Sequence, residues 1–275
     1  MITERAYAKV NLLLRVRGFI GEYHDLETIM APIDLYDEVR LEKRDDKKFV
    51  VTGLDIENSR TLQACELFQA KYGIKGANIY IERSIPMGSG LGSSSADASA
   101  TLRGLNRLYE LNIPLRELEQ LATKLGSDNA YCLYNKAALC YGRGNLLNFL
   151  DFDFELQALL IMPNIHISTG AVYDRWRMNY FEFSLDDVLV AIKKQDYRAM
   201  NNNLFNDLLG PLQVVHPEIR RALEIAKSFN INLHLSGSGS AFFVLSDNLA
   251  ELEEIAKQVD SATTTKIIKI VSKFD

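Results

Sequence analysis

Alternating apolar and polar residues in the first third of the chain predict strands, because every second side chain of a half-buried strand faces the core. Residues 8–15 and 77–84 alternate in this way, and residues 37–42 and 48–52 are rich in residues that favour strands. Between the last two segments, residues 59–72 carry apolar side chains at helical spacing. The first third of the chain is therefore predicted to be a sheet crossed by one helix.

The pattern changes in residues 86–95, which read Pro-Met-Gly-Ser-Gly-Leu-Gly-Ser-Ser-Ser. Such a run of glycine and serine predicts a loop. A helix is predicted over residues 98–109, where leucines recur on adjoining turns. A second helix is predicted from Pro114, since proline suits a first helical position, to Gly126, since glycine often ends a helix. Asp128 lies just beyond this second helix.

The second half of the chain mixes the two kinds of pattern. Strands are predicted over residues 137–141, 157–162, 232–235, 241–245 and 264–271, and helices over residues 184–194, 197–205, 217–229 and 249–259. Interleaved strands and helices of this kind predict an α+β domain. The acidic and aromatic residues 151–155 are the candidate boundary, so we predict an N-terminal domain over residues 1–152 and a C-terminal domain over residues 153–275.

Composition and charge narrow the class of protein. Hydrophobic residues make up 47% and charged residues 24% of the chain, which is usual for a globular protein. The net charge of -5 argues against general attraction to nucleic acid. Three cysteines without a C-x-x-C pair and four scattered histidines predict neither disulfides nor a protein-built metal site. No apolar run approaches the roughly 20 residues of a membrane span, and the N-terminal residues do not resemble a signal peptide, so we expect a cytoplasmic protein.

The glycines of the loop favour anion binding. Gly88, Gly90 and Gly92 stand at alternate positions, where glycine lets the backbone amides approach an anion closely. The following helix would add its first N–H groups and its dipole, so we predict a phosphate-binding loop. A capped helix is the alternative, because Ser94 and Asp97 fit the S-x-x-D capping box. Both interpretations can hold at once.

Two other nucleotide-binding motifs do not fit this loop. The chain has no G-x-x-x-x-G-K-[ST] sequence, so the Walker loop is absent. A dinucleotide fingerprint would require glycine where Ser93 stands, and an acidic residue at a strand end about 20 residues later. An NAD-dependent oxidoreductase is therefore a weak alternative.

The loop and several other segments resemble the GHMP superfamily of small-molecule kinases. Residues 86–96 match the phosphate motif P-x-x-x-G-L-G-S-S-x-A of that superfamily. Further matching segments follow in order: A-K-V-N-L at 8–12, Y-H-D-L at 23–26, L-G-S-D at 125–128, I-S-T with V-Y at 167–173, N-D-L at 206–208 and S-G-S-G at 236–239. The resemblance covers most of the chain. It is strongest to the kinases of the non-mevalonate isoprenoid pathway that phosphorylate a cytidine-diphosphate sugar alcohol.

This resemblance implies an α+β, two-lobed GHMP kinase fold with the active site in the cleft between the lobes. It implies that ATP, accompanied by Mg2+, donates its γ-phosphoryl group to the 2-hydroxyl of 4-diphosphocytidyl-2-C-methyl-D-erythritol. Asp128 would accept the proton of the attacking hydroxyl, and Lys9 would keep that carboxylate ionised and steady the attacking oxygen. With ATP and a small molecule as its partners, the enzyme is expected to be a monomer or a weak homodimer.

The resemblance also implies which residues bind the two substrates. For ATP they are Asn58 near the adenine, Arg83, and the loop residues Pro86, Met87, Gly88, Ser89, Gly90, Leu91, Gly92, Ser93, Ser94 and Ser95. For the acceptor they are Asn11, Tyr23, His24, Thr169, Ser236, Gly237, Ser238 and Gly239. The Tyr23 ring would stack on the cytosine base, and His24 would form hydrogen bonds with it.

The sequence departs from the methylerythritol kinases at several positions. Ser93 and Ser94 replace two glycines of the loop, where serine at a positive φ would be strained. Glu22 replaces the glycine that normally precedes Tyr23. These differences leave another GHMP kinase open, one that acts on mevalonate, phosphomevalonate, homoserine or a sugar. A binding or sensor protein that keeps the fold without turnover is a further alternative, but the presence of both Lys9 and Asp128 argues against it. Structural roles are also open for these two residues, because Asp128 could cap the helix after Gly126 and Lys9 could lie on the polar face of an alternating strand.

Overall fold

The computed structural model describes residues 1–53, 59–178, 183–261 and 263–274. Its strands are β1 (Ile2–Ile20), β2 (Tyr23–Lys43), β3 (Val50–Thr52), β4 (Ala77–Glu82), β5 (Ala138–Gly142), β6 (Leu146–Phe149), β7 (Glu155–Met162), β8 (His234–Leu235), β9 (Phe242–Leu245) and β10 (Thr264–Val271). Its helices are α1 (Arg60–Tyr72), α2 (Ser93–Leu108), α3 (Leu115–Leu125), α4 (Asn129–Cys132), α5 (Thr169–Arg175), α6 (Leu185–Lys194), α7 (Tyr197–Asn203), α8 (Leu209–Val215), α9 (Pro217–Ser228) and α10 (Leu249–Gln258).

The chain divides into two compact units, neither of which is continuous in sequence. The first unit comprises Met1–Ala8, Leu35–Met87 and Gly92–Asn135, and the second comprises Lys9–Asp34, Gly88–Leu91 and Lys136–Asp275. Strands β1 and β2 run through both units. The domain boundary predicted between residues 152 and 153 would separate two domains that are each continuous in sequence. This boundary stays a prediction.

The sheet of the first unit is built around β4. This strand pairs antiparallel with β2 and parallel with β3, and α1 connects the two parallel strands, as such a pair requires. Along β4, the buried Ile79 and Ile81 alternate with the exposed Tyr80, which is the pattern of a half-buried strand. Helices α1, α3 and α4 pack against α2. The α2 helix in turn lies against β2, where Gly104 makes room for the side chain of Leu41.

The sheet of the second unit is built around β7. This strand pairs antiparallel with β10 and β9, and β8 pairs with β9. Helix α10 packs on β7 and β10, which explains why β7 reads as a nearly continuous apolar run rather than an alternating one. The hairpin of β5 and β6 adds to the first part of β2. A core cluster that includes Trp176, Leu212 and Phe242 fills this unit.

Most elements predicted from the pattern recur in the structure with ends shifted by a few residues, but the strand predicted over 37–42 covers only the last part of β2 (Tyr23–Lys43). The strand predicted over 8–15 lies inside the longer β1, and α2 begins at Ser93 rather than at residue 98. Short elements such as β6, α4, α5 and α8 were not predicted, because four to seven residues are too few to establish a period. None of the helices in the described ranges combines the length and the hydropathy that a membrane crossing requires.

Candidate active site

The predicted phosphate loop adopts the backbone conformation that its glycines permit. Gly88, Gly90 and Gly92 have φ angles of +67°, +79° and +81°, in the left-handed region that favours glycine. Helix α2 begins directly after Gly92, and the N–H of Ser95 donates to the Gly92 carbonyl over 3.0 Å. The first amides of a helix have no carbonyl partner within it. Such amides are the groups that bind phosphate in an anion-binding loop.

The capping box predicted for Ser94 and Asp97 is wrong. Ser94 is the second residue of α2 rather than its N-cap, and no side chain caps this helix. Asp97 Oδ2 instead accepts a hydrogen bond from Arg83 Nη2 over 3.3 Å. Because Ser93 and Ser94 lie inside the helix, both avoid the positive φ at which serine would be strained.

Within the second unit, the segment Gly88–Leu91, called the glycine turn below, lies with its backbone against the backbone of the loop at residues 236–239. A Cβ on Gly90 would collide with the Ser236 carbonyl oxygen and would come within 3.0 Å of the Gly239 carbonyl oxygen. The Ser236 hydroxyl donates to the Gly90 carbonyl over 3.1 Å, and the N–H of Ala241 donates to the Ser89 carbonyl over 2.9 Å. Glycine is therefore required at position 90 both for its φ and for this close approach.

Lys9 is held at the glycine turn by polar groups of the same unit. Lys9 is 4% exposed, and its Nζ donates to Asn11 Oδ1 over 2.6 Å and to the Gly90 carbonyl over 3.0 Å. Asn11 is fixed in turn, because its Nδ2 donates to Thr28 Oγ1 over 2.8 Å. The side chain of Asn11 therefore orients Lys9, and the acceptor contact predicted for Asn11 stays a prediction.

Asp128 precedes the short helix α4 in the first unit. It occupies the N-cap position, but its side chain makes no capping hydrogen bond, so the helix-capping explanation is wrong. The segment is anchored to α2, because Asn129 Nδ2 donates to the Ser95 carbonyl over 3.2 Å and the Ser99 hydroxyl donates to the Asn129 carbonyl over 2.8 Å. These bonds fix the backbone that carries Asp128 close to the first turns of α2.

Two arginines of the first unit contact the serines of the loop. Arg83 Nη1 donates to Ser93 Oγ over 3.4 Å, and Arg60 Nη1 donates to Ser95 Oγ over 3.1 Å. Both contacts place positive charge beside the start of α2, where a phosphate is expected. Arg83 was predicted from the sequence, whereas Arg60 was not, because 35 residues separate it from its serine partner.

Tyr23 is exposed and lies under an arginine of the same unit. Its side chain is 51% exposed, and the guanidinium carbon of Arg143 lies 3.6 Å from the centre of the ring. This is a cation–π contact. The sequence gives no local pattern that would indicate Arg143 as the partner of Tyr23.

His24 is part of an aromatic cluster in the second unit. Its ring centre lies 4.6 Å from that of Phe19, 4.8 Å from that of Tyr173 and 5.7 Å from that of Trp176. Partial burial lowers the pKa of His24 below 6.5, and the charge of Asp174 opposes this only in part. The imidazole is therefore neutral at physiological pH, so one ring nitrogen can donate a hydrogen bond and the other can accept one.

Thr169 and the loop that contains Ser238 also meet in the second unit. Thr169, the first residue of α5, has its Oγ1 at 3.0 Å from Ser238 Oγ. Asn206 supports the loop, since its Nδ2 donates to the carbonyls of Leu235 and Gly237 over 3.0 and 2.8 Å. In the sequence Asn206 was only part of a matching segment, and the structure shows what its side chain does.

The predicted site residues therefore fall into two groups, one in each unit. The second unit contains Lys9, Asn11, Tyr23, His24, Gly88, Ser89, Gly90, Leu91, Thr169, Ser236, Gly237, Ser238 and Gly239. The first contains Arg83, Pro86, Met87, Gly92, Ser93, Ser94, Ser95 and Asp128. Asn58, predicted near the adenine, lies outside the described residues. Within the described ranges, no three histidine, cysteine, aspartate or glutamate residues come together as candidate metal ligands.

Comparison with known proteins identifies the family. The GHMP kinases N terminal domain matches residues 59–136, and the GHMP kinases C terminal domain matches residues 188–263. The chain is 36% identical over 275 residues to a 4-diphosphocytidyl-2-C-methyl-D-erythritol kinase of Macrococcus caseolyticus (strain JCSC5402), covering 95% of each chain. It is 34% identical over 249 residues to a protein of the same name from Caldicellulosiruptor saccharolyticus, covering 87% of this chain and 86% of the relative.

Solved structures agree with these relatives. A crystal structure of 4-(cytidine 5'-diphospho)-2C-methyl-D-erythritol kinase superposes with a TM-score of 0.84 at 26% identity, covering 99% of this chain and 100% of the other. A homoserine kinase of Cytophaga hutchinsonii superposes with a TM-score of 0.77 at 18% identity, covering 99% and 95%, a likeness that concerns the fold alone. The α+β GHMP kinase fold and the predicted kinase activity are thereby confirmed. The chain belongs to the 4-diphosphocytidyl-2-C-methyl-D-erythritol kinases, a family of ATP-dependent small-molecule kinases within the GHMP kinases.

Proposed function

We propose that this kinase transfers the γ-phosphoryl group of ATP to the 2-hydroxyl of 4-diphosphocytidyl-2-C-methyl-D-erythritol, in the non-mevalonate route to isoprenoid precursors. The observation that carries the proposal is the 36% identity to a kinase named for that acceptor over 95% of both chains. The chain also has the two residues that the chemistry needs, Lys9 and Asp128, and the Tyr23–His24 pair expected to read a cytosine. These features together favour this acceptor over mevalonate, homoserine or a sugar.

Asp128 is the proposed general base. It would accept the proton of the acceptor hydroxyl as that oxygen attacks the γ-phosphorus. Asp128 is a half-buried residue, and the neighbouring Asn129 is bonded to α2. These two observations support the proposed role, because the residue is partly exposed and its backbone is held in place.

Lys9 is proposed to stabilise the negative charge of the attacking oxygen. Its ammonium group is already oriented by Asn11 and by the Gly90 carbonyl, so little conformational freedom remains to be lost when the substrate binds. Phosphoryl transfer requires little covalent work from the protein, and positioning and charge stabilisation supply most of the rate. A preoriented lysine fits that requirement.

The phosphates of ATP are proposed to bind at the amides that begin α2, with Arg83 adding positive charge. Mg2+ is proposed to arrive with the nucleotide, because it commonly binds phosphate oxygens, waters and only one or two protein ligands. The loop offers serine hydroxyls rather than carboxylates, a donor set that suits a metal carried by phosphate. When bound, Mg2+ would neutralise charge on the phosphoryl oxygens.

The acceptor is proposed to bind through its cytosine. Arg143 covers one face of the Tyr23 ring, so the base would stack on the opposite face. Neutral His24 can both donate and accept a hydrogen bond, which suits the mixed edge of cytosine. Thr169, Ser236, Gly237, Ser238 and Gly239 are proposed to contact the rest of the acceptor. We further propose that the enzyme acts in the cytoplasm as a monomer or weak homodimer, without binding nucleic acid.

A panel of acceptors tests the proposed substrate. The purified protein is incubated with ATP, Mg2+ and one acceptor at a time: the cytidine-linked methylerythritol, mevalonate, phosphomevalonate, homoserine or galactose. ADP release is measured for each. We expect turnover with the cytidine-linked compound alone, and turnover with another acceptor instead would assign the enzyme to a different GHMP activity.

Asp128→Asn tests the proposed base. We expect kcat to fall by about 10²- to 10⁴-fold, which is the usual contribution of general-base catalysis, with ATP binding measured by calorimetry nearly unchanged. Asp151→Asn, which changes an exposed carboxylate, is the matched control and should keep full activity. Undiminished turnover in a folded Asp128→Asn enzyme would rule out the role.

A further inference from the structure

Strand β2 carries a carboxylate on the face that points into the core of the first unit. Leu35, Asp37, Val39 and Leu41 alternate along this buried face, and Asp37 is 0% exposed. An ionised carboxylate in such a place is strongly unfavourable unless hydrogen bonds compensate it. The partners of Asp37 therefore indicate why the strand contains an acid at this position.

Those partners lie on both sides of the phosphate loop. Asp37 Oδ1 accepts hydrogen bonds from the N–H groups of Ser84 and Ile85, over 2.5 and 2.8 Å, just before the loop begins. Asp37 Oδ2 accepts a hydrogen bond from the Ser93 hydroxyl over 3.2 Å, just after the loop ends. The Asp37 carboxylate therefore binds the segment just before the loop and also the first residue of α2, just after the loop.

A second buried acid and an arginine complete this cluster. Asp97, on α2, is 1% exposed, and its Oδ2 accepts from Arg83. No donor within the described ranges reaches its Oδ1, which is buried. Burial and then the charge of Asp37 raise the pKa of Asp97 to about 8. Asp97 therefore keeps a proton at neutral pH, which its carboxyl group can donate to the carboxylate of Asp37.

We propose that Asp37 is a positioning residue for the phosphate loop, which holds the ends of the loop in the ATP-binding conformation before ATP arrives. A segment with three glycines has many accessible conformations when its ends are loose. Fixing those ends in advance removes part of the ordering that phosphate binding would otherwise require. Asp37 itself does not touch the nucleotide, because its oxygens are already bonded to Ser84, Ile85 and Ser93. The inference rests on the proposed use of this loop for ATP.

A residue that only stabilises the fold would behave differently. Its loss would lower the melting temperature, but the molecules that remain folded would bind ATP normally. Loss of a positioning residue weakens ATP binding in the folded molecules and leaves acceptor binding unchanged. The two dissociation constants, each measured without the other substrate, therefore separate the two roles.

The variant to compare with wild type is Asp37→Asn, which keeps the shape of the side chain and one carbonyl acceptor but removes the charge. We expect the dissociation constant for ATP, measured by calorimetry, to rise about tenfold, because charge-assisted hydrogen bonds are replaced by weaker neutral ones. The constant for 4-diphosphocytidyl-2-C-methyl-D-erythritol should stay within twofold of wild type. Glu4→Gln is the matched control: Glu4 is also buried in the first unit and ion-paired, to Arg103 and Arg107, but does not contact the loop ends.

An ATP dissociation constant within twofold of wild type in folded Asp37→Asn, with a stability loss like that of Glu4→Gln, would overturn the proposal. Amide hydrogen exchange of wild type gives a second test that needs no variant. Ser84 and Ile85 should exchange slowly without nucleotide, and exchange that becomes slow only with ATP would contradict a preformed loop. A wild type that binds ATP but phosphorylates no cytidine-linked acceptor would contradict the proposed function, while the ATP dissociation constants and the hydrogen-exchange test would still decide the role of Asp37.

Discussion

Asp97 should make the stability of this enzyme fall as the pH rises, and Asp97→Asn should remove that effect. The carboxyl group is buried beside Asp37, with Arg83 offsetting the two acids only in part. Burial and the neighbouring charge raise the pKa of Asp97 from 3.8 to about 8. The asparagine variant removes the titration but keeps the shape, since its amide oxygen can accept from Arg83 and its N–H can donate to Asp37.

The size and the sign of the effect follow from proton binding. Between pH 4 and pH 8 the folded chain holds a proton on Asp97 that the unfolded chain has released. The free energy of unfolding therefore decreases with rising pH by about 1.4 kcal/mol for each pH unit. Below pH 4, Asp97 is protonated in both the folded and the unfolded chain, so its titration does not change the free energy of unfolding. Above pH 8 it is ionised in both, and the loss of stability stays constant.

Urea unfolding at pH 5, 6, 7 and 8, followed by circular dichroism, measures this difference. We expect wild type and Asp97→Asn to have similar stability at pH 5, and the variant to gain about 1.4 kcal/mol relative to wild type for each pH unit above that. Asp186→Asn, which changes an exposed acid in the first turn of α6, is the control and should follow the wild-type curve. Parallel curves for wild type and Asp97→Asn would refute the reasoning, because they would show that folding does not shift the titration of Asp97.

Three further predictions concern other parts of the molecule. Gly90→Ala should lower the melting temperature and nearly abolish turnover, because a Cβ would collide with the Ser236 carbonyl oxygen at a φ of +79°; full activity would contradict the backbone packing described. Arg143→Ala should raise KM for the cytidine acceptor about threefold, the effect of losing a cation–π contact, with KM for ATP unchanged as the internal control. Burial lowers the pKa of His234 to about 4, so wild type should lose stability as the pH falls from 6.5 to 4, by about 1.4 kcal/mol per unit. The His234→Gln variant should not lose this stability when it is acidified. A variant whose free energy of unfolding falls with pH as steeply as that of wild type would contradict the prediction.

The parts of the fold that were predicted correctly depend on neighbouring residues in the chain. Helix α1 and strand β4 could be predicted because their periods of 3.6 and 2 are properties of consecutive side chains. The bend of the glycine-rich loop could be predicted because glycine at alternate positions permits a conformation that other residues resist, and phosphate binding there stays a prediction. The family resemblance added the proposed roles of Lys9 and Asp128, which no local pattern distinguishes from an ordinary strand lysine or a helix cap.

The sequence by itself therefore determined the class of fold, the position of the glycine-rich loop and the family of kinase. Only the tertiary structure decided which side chains serve the loop. Asp37 lies 47 residues from Ser84 in the chain, and Asn11 lies 225 residues from Ser236, yet each pair is joined by a hydrogen bond. The physical reason is that a period or a glycine bend is set by local backbone geometry, whereas the partner of a buried polar group is set by whatever folding brings beside it.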